Sequence, residues 1–232
     1  MYWDWTYIVY VLPAVIFAMW ASANVNGTFK KYAKIHSRRG ITGAEAARRV
    51  LDSKGLTNVR IERISGNLTD HYDPKTNVIR LSDSVYSDTS EAAIGVACHE
   101  AGHAMQYAES YAPIKLRNAI IPVTNIGSKL SIPLILVGIF LSYLSDYLII
   151  FAYVGIICFA FSTVFQLVTL PTEFNASRRA LAAIDDCGIL DSEERSGAKK
   201  VLSAAALTYV AALAVSLMQL LRLITLVNRR RD

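Results

Sequence analysis

His99-Glu100-Ala101-Gly102-His103 is the stretch of this 232-residue chain whose residue types and spacing can do chemistry. Two imidazoles four residues apart lie on one face of a helix and can reach a single metal ion. The intervening Glu100 falls beside such an ion rather than on it, where its carboxylate can take a proton from water. Zinc suits this set, because it binds neutral imidazole and brings the pKa of a coordinated water toward about 7. The competing reading is a surface helix with two solvated histidines. Two of the chain's four histidines fall at this spacing around a glutamate, which favours the metal.

A catalytic zinc takes a third protein ligand and leaves one position for water. The metzincin pattern asks for glycine at 106 and histidine at 109. The chain has Gln106 and Glu109, and without the glycine it cannot turn back to present Glu109. His71 and Asp73 stay open as ligands, although both precede the motif in a turn. The best candidate is Glu173, in "LPTEFNASRRALAAI". Pro171 suits a first helical turn, so the spacing predicts a helix starting there, with Ser177 one turn beyond Glu173 on the same face. The alternative for Glu173 is a carboxylate favoured near a helix N-terminus by the dipole.

The elements that must position these groups can be read from capping and periodicity. Thr42 and Glu45 form a capping-box pattern, and Gly55 is a plausible stop for the helix they open. Val59, Ile61 and Ile64 suit a strand. Asp73 to Asn77 carries turn chemistry, and "NVIRLS" reads as a second strand with Ile79 and Leu81 on one face. Asp88 and Glu91 give another capping-type start, for a helix running through the histidines to Tyr111–Pro113. The backbone of Asn77, Val78, Ile79 and Arg80 is expected to be the sheet edge that pairs with an extended substrate; the bland alternative is an ordinary strand. Tyr72, His71, Arg178 and Arg179 are the candidates for oxyanion support, though the two arginines also suit a solvated helix face.

Composition places the module at a membrane. Apolar residues make up 53% and charged residues 19%, and the apolar ones cluster. Uncharged runs cover 6–25, 130–145, 147–172 and 201–221, against the roughly 20 residues a spanning helix needs. The second run is short but can extend into the uncharged 120–128. A cleaved signal peptide competes for the first run, but Asp4 stands where a basic start is wanted. The organisation expected is a first transmembrane helix at 1–27, a module at 28–118 holding the motif helix, a transmembrane hairpin at 119–170, the third-ligand helix and loop at 171–200, and a fourth transmembrane helix with a basic tail at 201–232. Two crossings separate the histidines from Glu173, so both emerge on one side. Lys30, Lys31, Lys34, Arg38 and Arg39 follow the first run and nothing basic precedes it, which puts the module in the cytoplasm. The Arg229–Arg230–Arg231 tail conflicts, since four crossings place it outside. The net charge of +5 reads as topology rather than nucleic-acid binding. Three cysteines with no CxxC imply no disulfide framework.

"HEAGHAMQ", "LPTEFNASRRA" and the preceding "HYDPKTNVIRLS" together resemble the bacterial neutral zinc metallopeptidases of the YugP-like membrane family, over nearly the whole chain. More distantly the chain is similar to HtpX-like and CAAX-prenyl membrane endopeptidases, which are gluzincins. The resemblance implies one zinc held by His99, His103 and Glu173, with Glu100 as base. Gluzincins often place aspartate four residues after the third ligand to orient the first histidine; here that position is Ser177, which can hydrogen-bond but brings no charge.

The expected fold class is therefore α+β, mostly α: a multi-span membrane protein of about four transmembrane helices with a zincin-like, gluzincin-type module. The expected function is an integral-membrane zinc metalloendopeptidase in the cell membrane, its site facing the cytoplasm. Its partners are a peptide or protein substrate, membrane proteins among them, the lipid bilayer, and a membrane protein partner or a second copy. A non-catalytic zinc-binding scaffold or assembly factor is the alternative, against which the intact Glu100 argues. An intramembrane protease would need the histidines inside a spanning helix, and the apolar run before His99 covers only 92–98.

Overall fold

The computed structural model describes residues 5–229. Asp4 and the Arg230–Arg231 part of the basic tail lie outside the described residues. After a π-helical turn at Tyr7–Val11 come α1 (Leu12–Tyr32), α2 (Gly43–Ser53), β1 (Arg60–Ile64), β2 (His71–Asp73), β3 (Val78–Ser82), α3 (Asp83–Tyr86), α4 (Glu91–Ala108) and α5 (Ala112–Leu141). A 3-10 turn at Asp146–Ile149 leads into α6 (Ile150–Asp186), and α7 (Ser192–Asn228) completes the chain. The protein is mostly helical with one small sheet, as its α+β, mostly α pattern leads one to expect. Among the described residues, four helical stretches are long and apolar enough to cross a membrane: Tyr7–Tyr32, Ala112–Leu141, Asp146–Asp186 and Ser192–Asn228. The motif helix α4 is not among them.

The chain divides into two compact units. One comprises Ser22–Ile114 and Pro171–Leu207, and it contains the sheet and all the candidate ligands. Its first complete helix, α2, begins as the sequence predicts. Glu45 N–H donates to Thr42 Oγ1 at 3.2 Å, and Thr42 N–H donates back to Glu45 Oε2 at 2.8 Å. Gly55, at φ +72°, takes the left-handed conformation just past the helix end. Arg48 then ties down the exit of α2 by donating to the carbonyls of Val59 and Leu56.

The sheet order is β1-β3-β2. β1 runs parallel to β3, from Arg60 opposite Val78 to Ile64 opposite Ser82. β2 runs antiparallel to it, with Tyr72 opposite Ile79. This corrects the expectation for Asn77, Val78, Ile79 and Arg80. Asn77 lies in the turn just before β3, and Val78, Ile79 and Arg80 lie on the central strand, paired on both sides, so they offer no free edge to a peptide. The outer strand β2 went unread because His-Tyr-Asp has no apolar alternation. Asp73 holds the intervening turn, accepting from Lys75 N–H at 2.9 Å, Thr76 Oγ1 at 2.7 Å and Arg80 Nη1 at 3.1 Å.

The start of α4 differs in detail from the sequence reading. The cap is Ser90, whose Oγ accepts from Ala93 N–H at 3.2 Å, while Asp88 accepts from Ser90 N–H at 2.7 Å one step earlier. The helix stops at Ala108, before the expected Tyr111–Pro113, because Pro113 already lies in the first turn of α5. A larger difference concerns Pro171. It does not start a helix but lies inside α6, which runs unbroken from Ile150 to Asp186. Only the backbone bond to residue 167 is lost there. The expected loop at 171–200 is accordingly two helix ends joined by residues 187–191. Gly188, at φ +56°, closes α6, and Asp191 Oδ1 accepts from the N–H groups of Glu193 and Glu194, both at 2.9 Å, to open α7.

The other unit comprises residues up to 21, 115–170 and 208 onward. Here α5 packs on α6 through small residues, Gly138 against Ala152 and Gly127 against Cys158. Phe140, Ile157 and Leu167 remain exposed, as suits side chains that face lipid.

Candidate metal centre

Helix α4 brings His99 and His103 to one face, and α6 lays Glu173 against it. Glu173 Oε2 lies 3.3 Å from His99 Nε2 and 3.4 Å from His103 Nε2. One ligand atom from each of the three residues lies within 4.8 Å of the others, and Glu173 is only 3% exposed. The helices can approach this closely because Gly102 faces Ala176. A β-carbon on Gly102 would stand 2.6 Å from the Ala176 carbonyl oxygen. Ala176, Ala180 and Ala183 keep the contact face of α6 small.

Each imidazole is fixed from behind. His99 Nδ1 lies 3.1 Å from Ser177 Oγ, and His103 Nδ1 lies 3.0 Å from Gln106 Oε1. The second contact determines a tautomer. Gln106 is fully buried, and its amide nitrogen donates to the Thr172 carbonyl at 2.7 Å and to Asn175 Oδ1 at 3.0 Å. Its Oε1 can therefore only accept, so His103 carries its proton on Nδ1 and turns the Nε2 lone pair toward Glu173. Asn175 Oδ1 in turn accepts from Arg179 Nε at 2.7 Å, and Arg179 pairs with Glu109 at 2.8 Å. Burial alone would lower the pKa of His103. In the protonated form Nε2–H donates to Glu173, and that bond together with the negative charges of Glu100 and Glu173 outweighs burial and raises the pKa.

Glu100 is buried beside this set, and its Oε2 accepts from the Tyr72 backbone N–H at 2.9 Å. The outer strand β2 is thus attached directly to the carboxylate that flanks the histidines. The other residues singled out in the sequence stand elsewhere. His71 is exposed, with Nδ1 at 2.9 Å from the Thr69 carbonyl. The Tyr72 hydroxyl donates to Asn77 Oδ1 at 2.8 Å, and its ring meets Tyr107 edge-on. Arg178 is exposed and makes no hydrogen bond or ion pair among the described residues. Asp73 is committed to its own turn and Glu109 to Arg179, so neither joins the histidines. Gln106 and Asn175 are what sequence reasoning missed. Gln106 was legible in principle, since it lies three residues after His103 on the same helix face.

The donor set suits zinc. Two imidazole nitrogens and one carboxylate oxygen are a three-ligand catalytic set, and the bonded far nitrogens are the support such ligands require. Comparison with known proteins agrees. The profile of a family described as "Putative neutral zinc metallopeptidase" matches residues 7–228. The chain is also 46% identical over 226 residues to "Putative membrane protease YugP" of Bacillus subtilis (strain 168), covering 97% of this chain and 98% of that protein. The chain belongs to this zinc metallopeptidase family. No solved structure matches it. The family's description and the four apolar helices among the described residues agree with a zinc protein associated with a membrane.

Proposed function

We propose that this zinc metallopeptidase is an integral-membrane endopeptidase in which His99, His103 and Glu173 hold one zinc ion and Glu100 is the general base. The observation that carries the reading is the convergence of the two Nε2 atoms and Glu173 Oε2, with the Glu100 carboxylate held beside them by Tyr72 N–H. Bound there, zinc supplies a Lewis acid that polarises a carbonyl and makes water acidic enough to ionise near neutral pH. The Glu100 carboxylate takes a proton from the attacking water, whose oxygen bonds to the scissile carbonyl carbon. As the C–N bond breaks, Glu100 returns that proton to the leaving amine. Burial of Glu100 and its single backbone donor keep the carboxylate aimed at one place.

The site faces the cytoplasm in this reading, because Lys30, Lys31, Lys34, Arg38 and Arg39 follow the first span. The deciding experiment pairs Glu100→Gln with His103→Ala in purified full-length protein. Glu100→Gln keeps zinc and loses peptide hydrolysis, whereas His103→Ala loses both. Hydrolysis at the parent rate by Glu100→Gln overturns the assignment of the base.

A further inference from the structure

Well apart in sequence from the histidines, α1 and α7 enclose a cleft of about 620 Å³. Thr28, Lys31 and Tyr32 line it from α1, and Lys199, Lys200 and Ser203 from α7. The spacings are helical: 28, 31 and 32 share one face, as do 199, 200 and 203. Three lysines therefore line one cleft. No carboxylate lies within ion-pair distance of Lys31, Lys199 or Lys200 among the described residues, and Glu91, beside Tyr32, acts on Lys200 only from farther away. Two of them share one aromatic ring instead: Lys31 Nζ lies 5.5 Å and Lys200 Nζ 5.7 Å from the Tyr32 centroid. A π face holds cations in place without neutralising them. Like charges kept together beside hydroxyl groups are the chemistry of a phosphate site.

The position on the helices says where the phosphate comes from. The uncharged run of the first span ends at Phe29, two residues before Lys31, and that of the last begins at Val201, just after Lys200. Both helices thus change from polar to apolar at the cleft. Its remaining wall includes Ala204 and Leu207, on the apolar side of that change. A headgroup phosphate can meet the lysines while its glycerol and acyl chains follow the apolar wall, an arrangement known for basic pockets between membrane helices. We propose that this cleft binds the headgroup of an anionic phospholipid, with the phosphate among Lys31, Lys199 and Lys200.

The test uses the full chain in neutral detergent, titrated separately with phosphatidylglycerol, phosphatidylcholine and inorganic phosphate, and read by native mass spectrometry and thermal shift. Phosphatidylglycerol should bind at one site and raise the unfolding midpoint, and high salt should weaken it. The triple variant Lys31→Ser/Lys199→Ser/Lys200→Ser should lose affinity by on the order of 100-fold, at about five-fold per lysine. Lys30→Ser/Lys34→Ser, with both changes outside the cleft, should bind like the parent. If the triple variant does not fold, Ser203→Asp at an exposed position of the same wall should give a loss in the same direction. Parent-like affinity in either cleft variant overturns the site. Equal binding of phosphatidylcholine removes the anionic requirement, and displacement of phosphatidylglycerol by millimolar inorganic phosphate makes the cleft a soluble-anion site instead. Either result also overturns the proposal.

Discussion

Replacing Gly102 by alanine should separate the proposed metal ligands without touching any of them. The added β-carbon meets the Ala176 carbonyl oxygen at 2.6 Å and its carbonyl carbon and α-carbon at 3.2 Å each. All three are backbone atoms, so no side chain can turn aside. Ordinary contact begins near 3.4 Å, so α4 and α6 must part locally by about 0.8 Å. Zinc ligation tolerates departures of only about 0.2 Å from ideal distances, so that shift exceeds what His99, His103 and Glu173 can absorb together. Overpacking of this kind costs about 1–3 kcal/mol, which leaves most small domains folded. Gly95→Ala is the matched control on the same helix. There the β-carbon meets the Ala198 side chain of α7 at 3.2 Å, a contact relieved by a few tenths of an ångström, and none of its nearest neighbours belongs to α6. Zinc retention against a chelator, together with the unfolding midpoint of each apoprotein, separates the two effects. Gly102→Ala should bind zinc at least about ten-fold more weakly, and Gly95→Ala should bind like the parent. Parent-like zinc affinity in Gly102→Ala would refute the view that helix approach sets the ligand geometry.

Three further expectations follow from the same geometry. Gln106→Leu removes the acceptor of His103 Nδ1–H and strands the buried Thr172 carbonyl, so zinc affinity should fall about 10–100-fold and stability by about 2 kcal/mol; unchanged chelator resistance would exclude the positioning role. Burial, then the charges of Glu194, Glu193 and Asp191, push Glu91 up to about 7 against the opposing pull of Lys200, with Arg38 and Tyr32 also close by. The folded state therefore binds that proton more tightly, stability falls as pH rises from about 4.5 through 7, and Glu91→Gln should remove a decline of at most about 3 kcal/mol; an unchanged slope in pH-dependent melting would contradict this. For the membrane arrangement, single cysteines at the exposed positions Lys34 and Ser192, in a background without Cys98, Cys158 and Cys187, should be labelled only from the cytoplasmic side, and one at Tyr147 only from outside; opposite sides for Lys34 and Ser192 would break the two-crossing arrangement.

The sequence by itself determined which side chains share a helix face and which stretches can cross a membrane. His99, Glu100 and His103 were legible because helical spacing alone puts i and i+4 on one face, and the four apolar stretches because a bilayer demands length and lack of charge. The capping box at Thr42 and Glu45 was legible for the same reason: its partners are three residues apart. What the sequence could not determine is long-range. Pairing three residues of β2 with β3 buries the strand expected to be an edge, and no local pattern in His71–Asp73 announces that partner. Pro171 suggested a helix start, but packing carried α6 through it, since losing one backbone bond costs less than ending a helix whose far turns are buried. Only tertiary structure made Gln106 a support for His103, because the carbonyl that fixes its amide belongs to Thr172, 66 residues away. Spacing within one helix fixes which side chains face the same way, but which backbone lies opposite them depends on how closely two helices can pack, and here Gly102 and Ala176 set that distance.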